Sequence, residues 1–314
     1  MAKSPNTVSD KPNTAKRKTQ KAAAGEPSTP ASDSSGRFFR PAFMVDTNGG
    51  GSLEDVPGFN AVKARSQGFK GGRVPPALRN DRLGVAGDIE FAQPQYTIGY
   101  DDRVLIPDPS ALPWRCVCQL VIEGLHGNEI LGTGWLAGPR TVITAGHNLY
   151  SKRAGHQAAK IWVCPARLGD AVPYGYDISS QYSAHPRWVS DGDPECDIGV
   201  IWLDKPLGTK IGWFGMSALS DTQFKNLMVN NAGYPWDKPR GTQWYNAGRV
   251  LGVNPLSITY GLDTEKGQSG SPIFVFTPDK QRIVVAVHAY GDGPDNIGVR
   301  ITPDIYKLIL SWIK

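Results

Sequence analysis

From Tyr96 onward the apolar residues come in short runs rich in β-branched and aromatic side chains, broken by Gly, Pro and Asn. The runs are CVCQLVIEG, GTGWLAG, TVITAG, AKIWVCP, DIGVIWL, NLMVNNAGY, YNAGRVLGV, SITYGLD, SPIFVFT, RIVVAVHAY and NIGVRIT. They predict about eleven or twelve strands and an all-β fold. No helical period separates them, which excludes a βα alternation and leaves a barrel or a sandwich, two barrels of about six strands each being one arrangement. A single helix is predicted, at the end of the chain. In TPDIYKLILSWIK, Thr302 is placed to cap it, Pro303 suits its first turn, and Ile305, Leu308, Ile309 and Trp312 form one apolar stripe.

The first 96 residues read differently. Residues 1–36 are rich in Ser, Thr, Pro, Ala and Lys and carry too few large apolar side chains to offset the entropy of ordering. Short islands follow, FFRPAF and VPGFNAV, separated by NGGGS and continued by FKGGRVPPALRN. The expectation is a disordered basic leader over 1–96, able to dock but not to fold alone, ahead of a packed domain at 97–314. Within that domain the pattern divides into a first barrel at about 97–210, a second at about 211–301 and the helix at 302–313. All nine Trp lie between Trp114 and Trp312, inside the packed part.

Charge agrees with this division. The formal net charge of +5 belongs wholly to residues 1–95, and the remainder balances to zero. The packed part therefore has no net charge to attract phosphates, and nucleic acid is excluded as a partner. No run of eighteen apolar residues marks a membrane span, and Met1 opens no classical signal peptide. The four cysteines, Cys116, Cys118, Cys164 and Cys196, show no zinc-ligand spacing and are expected as buried thiols or an occasional disulfide. No metal and no cofactor is expected.

Candidate chemistry starts at GQSGSP, where Ser269 lies between Gly267 and Gly270 just before an apolar strand. A serine hydroxyl needs a base to take its proton and backbone N–H groups aimed at the oxyanion, and flanking glycines let the chain turn tightly around it. Any Gly/Ser-rich turn can match that pattern alone. A base is offered by TVITAGHNLY, which ends a strand with His147 beside small residues, whereas His126, His156 and His185 sit in turn-like polar contexts and are expected at the surface. Asp197 in CDIGVIWL heads an apolar strand and is expected to be partly buried, where it can orient an imidazole; Asp191, Asp193 and Asp204 read as solvated loop carboxylates. The chain order His147, Asp197, Ser269 is the order found in chymotrypsin.

Several ungapped blocks add to this: IGYDDR at 98–103, TGWLAGPRTVITAGH at 133–147, DIGVIWL at 197–203, GYPWDKPRGTQW at 233–244, LDTEKGQSGSP at 262–272, and VAVH with GVRIT near the end. Over about residues 97–314 the sequence resembles the bacterial glutamyl endopeptidases, a branch of the chymotrypsin-fold serine proteases. The resemblance implies two antiparallel β-barrels with the His147–Asp197–Ser269 triad between them and an oxyanion hole from the amides of Gly267 and Ser269. It also implies a pocket in which His288 and Thr264 bind the carboxylate of a Glu before the scissile bond, with Tyr290 and Gly291 shaping it. His288 can donate a hydrogen bond, more strongly if protonated, and Thr264 is a short neutral donor. The substrates implied are peptides with Glu, or less readily Asp, at that position, cut by a monomer through an acyl-enzyme.

Two features depart from the resemblance. Relatives often carry a disulfide at the positions occupied here by Gly132 and Asn148, so both partners are replaced together. In some relatives the freed α-amino group completes the specificity pocket, whereas here IGYDDR is still joined to the leader; a zymogen cut between about Glu90 and Thr97 is the expectation. Secretion follows from relatives only. The competing readings are a protease-fold binding module without turnover and an active serine protease of different specificity.

Overall fold

A computed structural model describes residues 72–75, 78, 100–151, 155–277, 281–292 and 295–314, all within a unit spanning 42–314. The segment 1–71 and the expected cleavage region at 90–97 lie outside the described residues. Two short strands come first, β1 (Gly72–Arg73) and β2 (Val104–Leu105). The first large sheet is built from β3 (Val117–Gly124), β4 (Glu129–Gly138), β5 (Thr141–Thr144), β6 (Tyr150–Ser151) and β7 (His156–Pro165). Past the small β8 (Ala171–Val172) it continues with β9 (Asp177–Ser179), β10 (Tyr182–Ala184) and β11 (Gly199–Trp202). The second comprises β12 (Gly215–Met216), β13 (Met228–Gly233), β14 (Trp244–Val253), β15 (Ser257–Tyr260), β16 (Pro272–Phe276), β17 (Arg282–Asp292) and β18 (Asp295–Arg300).

The first sheet runs β10-β11-β5-β4-β3-β7-β6, with β9 on β7; the second runs β12-β17-β16-β13-β14-β15-β18 and closes through β17–β18. Both are barrel-like, and pairing is antiparallel throughout except between β12 and β17. The alternation expected of a one-faced sheet is weak because β3, β4 and β5 are buried on almost every position. One boundary differs from expectation: β2 pairs with Trp244–Tyr245 of β14 and so joins the second sheet, not the first. It covers a stretch of β14 that would otherwise be an open edge.

Four short helices interrupt the strands, α1 (Gly146–Leu149), α2 (Pro186–Asp191), α3 (Leu207–Ile211) and α4 (Asp221–Phe224), each too short to show a period in the sequence. The predicted terminal helix is α5 (Pro303–Trp312). Thr302 caps it by accepting from the Ile305 amide at 3.2 Å. Its buried face, Ile305, Tyr306, Ile309 and Trp312, packs into the main core. The carbonyl of Trp312 accepts from Trp202 Nε1 at 2.7 Å, and the Lys314 amide donates to Thr141 Oγ1 at 2.9 Å. The chain end is thereby tied to β11 and to β5, the strand that leads into His147.

Part of the leader docks. Gly72–Arg73 pairs with Ala171–Val172, and Val74 and Leu78 are buried among Val121, Trp162, Cys164 and Val172. The carbonyl of Leu78 accepts from the Arg167 guanidinium at 3.3 Å. These contacts are made at 72–75 and 78, inside the span expected as a leader able to dock. All four cysteines are free and buried, and burial pushes the thiols of Cys116 and Cys164 up to about 12. Native protein at pH 8 is expected to leave all four thiols unreacted with an aromatic disulfide reagent, and urea is expected to release four per chain. Fewer than four in urea would mean a disulfide.

Candidate active site

The site forms where the turn before β16 meets β4 and β5. The imidazole of His147 is delivered by α1, one turn after β5 ends. Asp197 follows a short 3-10 turn over Pro194–Cys196 and is fully buried. Its carboxylate bridges two atoms of one residue: Oδ2 lies 2.6 Å from His147 Nδ1, and Oδ1 accepts from the His147 amide at 2.7 Å. Ring and backbone are thus held by the same acceptor, which leaves Nε2 for other chemistry. Trp188 of α2 walls this pair, edge-on to the imidazole at 6.3 Å and fixed by Nε1 donating to the Tyr150 carbonyl at 2.7 Å. A Cβ at Gly146 would approach Trp188 to 2.7 Å, so the small residue before His147 is a steric requirement.

Ser269 sits in a turn whose glycines are obligatory. Gly267 and Gly270 have φ of +92° and +87°. A Cβ on Gly270 would lie 2.2 Å from the Thr133 carbonyl, and one on Gly267 would lie 2.5 Å from that of Tyr234. Thr133 on β4 is the clasp. Its amide donates to the Ser269 carbonyl at 2.9 Å, its Oγ1 donates to the Gly267 carbonyl at 2.7 Å and accepts from the Tyr234 amide at 3.0 Å, and its carbonyl accepts from Thr144 Oγ1 at 2.7 Å.

The two residues expected to replace a disulfide are in contact. Asn148 fills the space beside Gly132, where a Cβ would come within 2.7 Å of its Nδ2. That amide nitrogen donates to Thr144 Oγ1 at 2.9 Å and to the Ser269 carbonyl at 3.0 Å. His156, expected at the surface, is instead buried at the start of β7 with Nε2 3.1 Å from the Asn148 carbonyl. Pairing with β6 draws it inward, a consequence of strand register that its polar neighbours hide. His126 is exposed as expected, and His185 is half-buried, serving as cap of α2.

A second polar chain reaches the turn from the IGYDDR block. The buried guanidinium of Arg103 pairs with Asp101 at 2.8 Å and Asp237 at 2.5 Å, and donates to Gln268 Oε1 at 3.3 Å. Gln268 Nε2 passes the contact to Asn231 Oδ1 at 3.0 Å, and Asn231 Nδ2 donates to Ser271 Oγ at 2.6 Å. Burial works against the charge of Arg103, yet the two carboxylates hold its pKa above the usual arginine range. The Arg103 guanidinium in turn holds the Asp101 carboxyl well below the usual carboxylate range.

His288 and Thr264 are both completely buried. The amide of His288 donates to the Ser271 carbonyl and its carbonyl accepts from the Gly270 amide, so the residue adjoins the Ser269 turn directly. Its Nδ1 lies 2.6 Å from the hydroxyl of Tyr260, while Nε2 and Thr264 Oγ1 are buried with no hydrogen-bond partner among the described residues. Burial, assisted by His147, pushes the imidazole down to about 3. The ring is therefore neutral at ordinary pH, unlike the protonated donor that the sequence left open. A register shift between His288 and Tyr290 sets Tyr290 opposite Ile297 and Gly291 opposite Asn296. Asn296 Nδ2 donates to the Leu262 carbonyl at 2.7 Å, and the Asp102 amide donates to Asp263 Oδ2 at 2.9 Å, so strand and N-terminal segment both brace the loop that carries Thr264.

Of the residues that the sequence singles out, the structure brings His147 and Asp197 into contact and places Ser269 and His288 in adjoining backbone. Sequence reading missed Thr133, Asn148, Tyr260 and the Arg103–Gln268 link, whose roles depend on contacts across strands.

No protein-family model matches the chain. Among known proteins it is 35% identical over 224 residues to the glutamyl endopeptidase of Bacillus licheniformis, covering 68% of each chain. It is 31% identical over 242 residues to an "Extracellular metalloprotease" of Bacillus subtilis (strain 168), covering 77% of each. A solved Glu endopeptidase superposes with a TM-score of 0.63 at 23% identity, over 69% of this chain and 99% of that one, a likeness of fold. The name of the B. subtilis relative invokes a metal. Among the described residues no three His, Cys, Asp or Glu side chains gather into a set that could hold a metal ion.

Thr133→Val removes two hydrogen bonds at constant shape, and is expected to lower stability by about 1–3 kcal/mol and to slow labelling of Ser269 by a fluorophosphonate about tenfold through a displaced turn. Thr133→Ser should restore the rate. His288 gives a pH signature: the unfolded ring takes up a proton near pH 6.5 that the folded ring refuses until about pH 3. Between those values the unfolded state binds more protons, so stability rises with pH by up to about 1.4 kcal/mol per unit from this group. Urea unfolding across pH 3.5–7 should show a shallower pH dependence in His288→Gln.

Proposed function

Because the chain belongs to the glutamyl endopeptidase family of serine endopeptidases, we propose that it hydrolyses peptide bonds after Glu, less readily after Asp, and is made as a zymogen. Two unpartnered donors, His288 Nε2 and Thr264 Oγ1, carry the specificity reading. A buried polar atom without a partner costs about 1–3 kcal/mol, and a carboxylate is a ligand that can satisfy two donors at once. The name of the B. licheniformis relative, a glutamyl endopeptidase, supports the same choice.

In the proposed reaction His147 takes the proton of Ser269 as its Oγ attacks the scissile carbonyl. Asp197 keeps the His147 proton on Nδ1 and stabilises the imidazolium that forms. The amides of Gly267 and Ser269 receive the oxyanion. His147 then gives its proton to the leaving amine, and water, activated by the same imidazole, releases the acyl group from Ser269. Leader removal between about 90 and 97 would free an amino terminus a few residues from Asp101–Arg103. The ties from Arg103 to Gln268 and from Asp102 to Asp263 support that part of the reading, since they join this segment to both the nucleophile turn and the Thr264 loop.

The test is a set of peptides differing only in the residue before the scissile bond, Glu, Asp, Gln, Ala or Arg, with the enzyme's intact mass recorded throughout. Cleavage should be confined to Glu and Asp, should vanish in Ser269→Ala, and should rise as about 90 leader residues are lost. Preference for another residue would overturn the specificity. Full activity with an unprocessed leader would overturn the zymogen, and no activity even after limited proteolysis would favour a binding module.

A further inference from the structure

We propose that Tyr260 sets the form in which His288 meets a ligand: its phenol donates to Nδ1, which holds the ring neutral with its proton on Nε2. The inference rests on the specificity reading above for what that ligand is, but the tautomer itself is a property of the free protein.

The argument starts from two buried polar groups 2.6 Å apart, the Tyr260 hydroxyl and His288 Nδ1. Tyr260 is at the end of β15, His288 is on β17, and β18 lies between them, paired with both. Gly298 of β18 makes the contact possible, since a Cβ there would come within 3.2 Å of the Tyr260 hydroxyl and ring edge. Burial raises the phenol well above its ordinary range, so Tyr260 keeps its proton. Three arrangements can then be weighed. If Nδ1 carried the hydrogen, the phenol would accept, its own buried proton would lack an acceptor, and Nε2 would present a lone pair to any incoming carboxylate. If both nitrogens carried hydrogens, a full positive charge would sit in a completely buried site, where among the described residues the titratable neighbours that bear on it are Tyr260, neutral, and His147, which opposes it. Only the phenol-donating arrangement satisfies Tyr260 and Nδ1 together and leaves one N–H over. That N–H is at Nε2, the atom with no partner. Tyr260 is thus a positioning residue for recognition: the discrimination it supports comes from a fixed neutral donor, joined by Thr264 Oγ1, and not from a cationic ring.

The experiment is nitrogen-15 NMR of the imidazoles in the Ser269→Ala protein, whose mutation prevents self-cleavage. Across pH 5–8, His288 is expected to show one pyrrole-type nitrogen, Nε2, and one pyridine-type nitrogen, Nδ1. An Nδ1–H tautomer or an imidazolium in that range would overturn the proposal, and neither result depends on activity. Tyr260→Phe, which preserves the ring volume, is expected to lower the Glu-to-Ala ratio of kcat/KM about tenfold, the loss of one buried hydrogen bond. An unchanged ratio in Tyr260→Phe alongside its loss in His288→Ala would also overturn it. If His288→Ala keeps the Glu preference, the pocket assignment fails instead, and the NMR result alone decides the tautomer.

Discussion

One buried threonine joins the two barrels at the point where the chemistry is concentrated. Thr133 uses its amide, hydroxyl and carbonyl to hold the Gly267 and Ser269 carbonyls, the Tyr234 amide and the Thr144 hydroxyl. The Ser269 turn belongs to the second barrel and His147 to the first, so any slip between the sheets would shift one against the other. Apolar packing is non-directional and tolerates small displacements; a set of hydrogen bonds fanning out from one side chain does not. Asn148 strengthens the same junction from the residue next to His147, bonding the Ser269 carbonyl that Thr133 also holds. A polar contact stands where the resemblance implies a covalent bridge at the Gly132 and Asn148 positions.

A second constraint acts from the amino-terminal side. The peptide before Ser269 is held by Gln268, whose oxygen takes a hydrogen bond from Arg103, itself fixed by two carboxylates. The positive charge beside the turn is therefore internal to the chain, two residues beyond Asp101, and is compensated by Asp101 and Asp237. Arg103 pairs with Asp237 of the GYPWDKPRGTQW block, so three of the motifs that identify the family meet at this one guanidinium.

What could be read in the sequence and what could not divides along physical lines. Strand runs, the capped terminal helix, the glycine turn and the order His147, Asp197, Ser269 are local patterns, and local patterns survive without coordinates. Thr133 and Tyr260 gave no signal because a Thr or Tyr in a β-rich segment is ordinary; their meaning lies in partners 101 and 28 residues away. His156 was misread for the same reason, since its neighbours are polar while its strand turns it inward. The protonation of His288 was left open because it depends on complete burial and on a phenol from another strand.

The docked stretch of leader has one more consequence. Val74 and Leu78 are held by Val121, Trp162, Cys164 and Val172 and by backbone pairing at β8, none of which depends on the peptide bonds further along. Under the proposed cut at 90–97 these contacts would remain, and the product would be a two-piece complex whose dissociation depends on dilution. Were that stretch to leave its socket, the Trp162 indole and the Cys164 thiol that it covers would meet water.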